Sequence, residues 1–136
     1  MAVAIDTNIL IRYITNDDTA KAERAKRFID RVVQQEEECV LCESVLAEVI
    51  WVLSHPRTYN LTREETVDFL DSFISLDGVR INPKSVYRRS VEMYKTSKLD
   101  FPDCVLAALV ESGRATHLAT FDTEIADSFP VHTIEL

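Results

Sequence analysis

The chain has 136 residues, 46% of them hydrophobic and 28% charged, a formal net charge of −8, and only two glycines, Gly78 and Gly113. That length supports a single domain over residues 1–136 with one core, the composition excludes disorder, and the scarcity of glycine argues against a sandwich or barrel with many tight turns. So acidic a chain is a poor general phosphate binder, unless its carboxylates gather a divalent cation and invert the local field.

Ala2–Ile5 is a short apolar run ending in Asp6, and reads as a buried strand of a parallel sheet. Asn8–Ile14 reads as a short helix. A longer one follows from about Thr19 to Gln35, where Ala22, Ala25, Phe28, Ile29, Val32 and Val33 form one apolar stripe. Cys39–Cys42 is a second strand. Ser44 is placed to cap a helix from Val45 to about Ser54, which Pro56 stops. Thr62-Arg63-Glu64-Glu65 is a capping box opening a helix to about Ser75. Val79–Ile81 is a third strand, and Lys84–Thr96 is amphipathic through Tyr87, Val91 and Tyr94. A helix from Asp100 to Ser112 closes at Gly113, and His117–Thr120 and Val131–Ile134 complete the strands, with a helical turn near Glu124–Asp127. Strands alternating with helix pairs predict an α/β fold: three layers, α/β/α, around a mostly parallel sheet of about five strands.

In such a sheet, ligands bind beyond the carboxyl ends of the strands. Asp6 follows the first strand and Asp122 the fourth. Each also suits a turn or a helix cap. Glu48 lies in Val45-Leu46-Ala47-Glu48-Val49-Ile50-Trp51-Val52-Leu53, a helix apolar on every side, so it is expected to be buried and to need a cation: a metal, or a basic side chain distant in sequence. In Asp100-Phe101-Pro102-Asp103, Asp100 suits the N-cap and Asp103 the third helical position, at the same sheet edge. Oxygen donors without His or a Cys cluster suit Mg²⁺ or Mn²⁺ better than zinc.

Other signals are weaker. Cys39-Val40-Leu41-Cys42 has the C-x-x-C spacing, but no second ligand pair follows, so packing is the expected role. His55, His117 and His132 are scattered, and no phosphate-binding glycine motif occurs. Lys84, Arg88, Arg89, Lys95 and Lys98 read as a solvated helix face or an RNA-backbone contact. The opening MAVAID lacks a basic n-region, and no apolar run is long enough to span a bilayer; the expectation is a cytoplasmic protein with reduced Cys39, Cys42 and Cys104, and no membrane partner.

Four segments resemble the acidic motifs of PIN domains, in order: Ala4-Ile5-Asp6-Thr7-Asn8-Ile9-Leu10, Ala47-Glu48-Val49-Ile50-Trp51-Val52-Leu53, Asp100-Phe101-Pro102-Asp103-Cys104-Val105-Leu106-Ala107-Ala108 and Ala119-Thr120-Phe121-Asp122. In size and sequence the chain most resembles the VapC toxins of toxin–antitoxin pairs. The resemblance implies an Mg²⁺- or Mn²⁺-dependent endoribonuclease with Asp6, Glu48, Asp103 and Asp122 as catalytic metal ligands, and Thr7, Asn8, Asp100 and Thr120 as supporting or substrate-orienting residues. It also implies a homodimer, an RNA substrate, and a small VapB-like antitoxin that inserts a basic residue. Pro102 departs from the family, where a small residue is common at that place. The alternatives are a PIN-like nuclease in RNA processing or on DNA with no antitoxin, a phosphatase, a PIN-like domain that has lost catalysis, or a phospho-receiver-like module. The last would need a lysine near the final strand, and 131–136 has none.

Overall fold

The computed structural model of the chain describes residues 1–122 and 124–134. It divides into two compact units, Met1–Ile81 and Asn82–Leu136.

The first unit carries β1 (Ala2–Ala4), α1 (Thr7–Thr15), α2 (Thr19–Val33), β2 (Glu38–Val40), α3 (Glu43–Ser54), α4 (Arg63–Ile74) and β3 (Val79–Arg80). Its sheet has the order β1-β2-β3 and is parallel throughout, with Val3 opposite Cys39 and Cys39 opposite Val79. A parallel pair needs a crossover, and a helix pair supplies each one. Leu10, Ile29, Val32, Leu46, Leu53, Leu70 and Ile74 are fully buried and form the core.

The helix starts follow local chemistry. Asp18 caps α2 by accepting from the Lys21 amide at 3.1 Å. Thr62 and Glu65 form the reciprocal capping box of α4 at 3.1 and 3.2 Å, as its sequence predicts. Helix α3 begins earlier than predicted: Cys42 is its N-cap, in an extended conformation, and Ser44 already lies in the first turn with its hydroxyl 3.1 Å from Cys42 Sγ. Glu43 at the first helical position suits the positive end of the helix. Cys42 is thereby exposed and off the strand, whereas Cys39 is buried within it. The expectation of two cysteines packed on one strand holds for Cys39 alone.

Two burial expectations also change. Within the described three-stranded ladder β1 is an outer strand, with Ala2 and Ala4 exposed and only the following Ile5 buried. Helix α3 is not buried all round: Leu46, Val49, Ile50 and Leu53 face the core, while Glu48 is exposed and Trp51 is 58% exposed, stacked on His55 with ring centroids 4.5 Å apart. Apolar residues on every side of a helix do not require burial on every side, because much of any protein surface is apolar.

The second unit carries α5 (Lys84–Thr96), α6 (Phe101–Glu111), β4 (Leu118–Ala119), α7 (Glu124–Ser128) and β5 (Thr133–Ile134). Helices α5 and α6 pack on each other through Tyr94 and Phe101, whose rings meet edge to face at 6.5 Å. Arg89 bonds both Glu111 oxygens, at 3.0 and 3.2 Å, so this member of the predicted basic stretch has a structural partner. Gly113 follows the Ser112 C-cap with φ of +79°, the left-handed conformation that ends a helix most cheaply with glycine. Strands β4 and β5 pair in parallel, Leu118 opposite Thr133. All five expected strands are present and every described pairing is parallel. The described ladders are a three-stranded set in the first unit and a two-stranded set in the second.

Candidate active site

In the first unit, Asp6 follows β1 after Ile5 and caps α1, its Oδ1 accepting from the Ile9 amide at 3.3 Å. The next residue, Thr7, is buried, and its hydroxyl donates to Glu48 Oε2 at 2.9 Å. One dipeptide at the end of β1 therefore exposes a carboxylate and holds a second carboxylate on α3. Asn8 is exposed beside them. Asp6, Asn8, Ile9, Arg12, Lys21, Arg24 and Ala25 line a cavity of about 410 Å³ between α1 and α2. No motif marked its three basic residues. The signal was present in α2, where Arg24 has no acidic residue three or four positions away.

In the second unit, Asp100 is the N-cap of α6, but its side chain makes no cap bond; its carbonyl accepts from Asp103 and Cys104 instead. Pro102 sits in the first turn, where a missing N–H costs nothing, so this departure leaves the helix start intact. Asp103 is half-buried. Burial, then the charges of Asp122 and Asp100, push its carboxyl above the usual carboxylate range. Asp122 follows β4 in an Asx-type turn: its Oδ1 accepts from the Glu124 amide at 2.9 Å, and its own amide donates to Thr120 Oγ1 at 3.0 Å. Thr120 thus orients Asp122, and Asp100, Asp103 and Asp122 share one electrostatic neighbourhood.

Among the described residues, no group of three or more His, Cys, Asp or Glu side chains stands ready to hold a metal ion. The donor set, all carboxylate and hydroxyl oxygen, matches hard divalent cations. The like-charge pressure on Asp103 is the condition a bound cation relieves.

An α/β fold with an acid at the end of β1 and another just past β4 defines a class, and comparison with known proteins names it. Residues 3–128 match the PIN domain, and the chain belongs to that family. It is VapC-like within it: the chain is similar to a VapC ribonuclease of Aquifex aeolicus (strain VF5), 22% identical over 101 residues, which cover 74% of this chain and 73% of that protein. The match crosses the Ile81–Asn82 junction between the two units.

Proposed function

We propose that the chain is a single-domain, divalent-metal-dependent endoribonuclease, the toxin of a VapBC-type pair, with Asp6, Glu48, Asp103 and Asp122 as its catalytic carboxylates. The observation that carries this reading is the order of four acidic motifs within a PIN match that spans nearly the whole chain. The name of the Aquifex relative supports RNA as the substrate. Mg²⁺ or Mn²⁺, held by the four carboxylates, would supply a polarised phosphoryl oxygen and a more acidic water at neutral pH.

The chain's own residues do the rest. Thr7 fixes the Glu48 carboxylate, and Thr120 fixes the Asp122 turn, so two of the four acids are oriented before substrate arrives. Asp100 adds negative charge beside Asp103 and raises its demand for a cation. The acids draw protons from the attacking water, and a phosphodiester is hydrolysed in line.

The partner in this reading is a small antitoxin. A second cavity of about 750 Å³, lined by Tyr13, Ala22, Ile29, Val33, Phe69 and Phe73, lies in the first unit, and Tyr13, Val33 and Phe69 are exposed there. An apolar antitoxin segment fits this groove, and an Arg or Lys beyond it would neutralise the acids, the guanidinium fork being best suited to two carboxylates. A homodimer in the cytoplasm completes the proposal. No described helix is long and apolar enough to cross a membrane.

The test is cleavage of RNA by purified protein with Mn²⁺, stopped by EDTA. Glu48→Gln should abolish cleavage and leave the thermal melt intact. A cleaving Glu48→Gln protein, or wild type inert on every RNA offered with Mn²⁺, overturns the reading.

A further inference from the structure

The net charge of −8 makes any cluster of cations around a cavity notable in this chain. The cavity between α1 and α2 holds one. Arg12 reaches it from α1, and Lys21 and Arg24 from α2, with Asp6 as the one acid in its lining. Its volume, about 410 Å³, falls within the range of small-ligand sites, roughly 300–1,000 Å³.

Two other cations of α2 are paired along the helix, and a third, Arg31, lies over the Phe28 ring, 5.7 Å from its centroid. Lys26 meets Asp30 at 2.9 Å, and Arg27 meets Glu23 at 3.8 Å. Such i,i+4 pairs are what a solvated helix face normally carries. Arg24 breaks this pattern. Its neighbours at helical spacing are Ala20, Lys21, Arg27 and Phe28, two of them basic and none acidic, and among the described residues it makes no ion pair. Lys21 touches only its own N-cap residue Asp18, at 4.0 Å. Arg12 gives one N–H to Asp17 at 2.7 Å, which fixes the guanidinium and leaves its other donors to spare. A cationic edge that accepts like-charge repulsion, and faces a cavity, is arranged for an anion from outside.

We propose that this cavity binds a backbone phosphate of a single polynucleotide strand, with Arg24 and Lys21 as its contacts and Arg12 as a fixed donor. Asp6 in the same lining sets the register: the bound phosphate lies along the strand from the bond that the Asp6 end addresses. This assignment of Asp6 rests on the nuclease reading; the phosphate contact itself does not. An acidic peptide, the other polyanion of matching charge, is separated from a polynucleotide by the polyglutamate competition below.

The experiment is binding of a short fluorescent polyuridylate to the full chain in EDTA at several salt concentrations. Arg24→Ala should weaken binding about fivefold, the upper end for an exposed ion pair. It should also flatten the slope of log K against log salt by about 0.7, one single-strand phosphate contact. Arg24→Lys should recover most of the loss, and Arg27→Ala, on the paired face, should bind as wild type. The uridylate monomer should compete only far more weakly than the polymer. Wild-type affinity in Arg24→Ala, an equal loss in Arg27→Ala, or equal displacement by polyglutamate or by the monomer each overturns the proposal. If the binding pattern holds but Mn²⁺ supports no RNA cleavage, the nuclease reading fails and the phosphate site stands.

Discussion

Asp6 carries two jobs that substitutions can separate. Its side chain caps α1 through the Ile9 amide, and in the proposed chemistry it is also a metal ligand. Asn caps helices as well as Asp, whereas Ala costs about 1 kcal/mol at such a position. Asp6→Asn should therefore abolish cleavage with an unchanged Tm, and Asp6→Ala should abolish it with a lowered Tm. Equal melting of the two by calorimetry would remove the cap from the account. Asp17 offers a test by pH. Hydrogen bonds from Tyr59 at 2.5 Å, Arg12 at 2.7 Å and Thr15 at 3.0 Å lower its carboxyl from an ordinary value near 3.8 to about 2. An acid whose folded value is depressed stabilises the fold in full above its unfolded value, and loses that contribution as pH falls through the folded one. Wild-type stability should therefore fall between about pH 4 and pH 2 more steeply than that of Asp17→Asn, as followed by chemical denaturation. Parallel acid limbs for the two proteins would contradict the assignment.

At the scale of elements, periodicity and caps made most of the chain legible. The capping box at Thr62 and the stripe on α2 lie where their spacing predicts, because both depend on contacts within a turn or two. The misreadings have one origin. Neither the exposure of Ala2 and Ala4 on β1 nor the open side of α3 follows from local pattern; each is set by which strands and helices pack alongside. Glu48 is therefore explained by its bond from Thr7, forty-one residues away in sequence, and not by isolation inside an apolar helix. Gly78 shows the same dependence on distant chain. Nothing in its neighbours demands glycine, yet a Cβ there would meet the Val32 carbonyl oxygen at 2.5 Å and the Glu37 carbonyl oxygen at 3.3 Å. Both neighbours are backbone and cannot rotate away. Gly78→Ala should cost about 1–3 kcal/mol, the usual range for overpacking. A denaturation midpoint equal to wild type would show that the α2–β2 connection yields freely.

For the molecule as a whole, Asp6, Asp103 and Asp122 were readable in the sequence because each sits near a strand end or a helix start that local signals also mark, whereas Glu48, in the middle of α3, stood out only by its apolar neighbours. The basic residues around the first cavity were not, since Arg12 and Arg24 come from two helices and look like ordinary surface charge until α1 and α2 are packed. The proposed chemistry asks more than either set shows alone: Asp6 and Glu48 from the first eighty-one residues must serve the same reaction as Asp103 and Asp122 from the remainder. Calorimetry with Mn²⁺ distinguishes one shared centre from two independent ones. If the acids share a centre, Asp6→Asn and Asp103→Asn should each weaken the same binding isotherm sharply. Combining them should add little, since groups that act as a unit are not additive. Asp103→Asn should also raise the Tm of metal-free protein, because it removes a charge that burial, Asp122 and Asp100 all disfavour. Asp6→Asn has no such relief to give, its Oδ1 being engaged by the Ile9 amide. Two separable isotherms, one lost with each substitution, would mean that the two pairs of acids hold metal independently. The single-centre mechanism would then be wrong even if both variants were inactive.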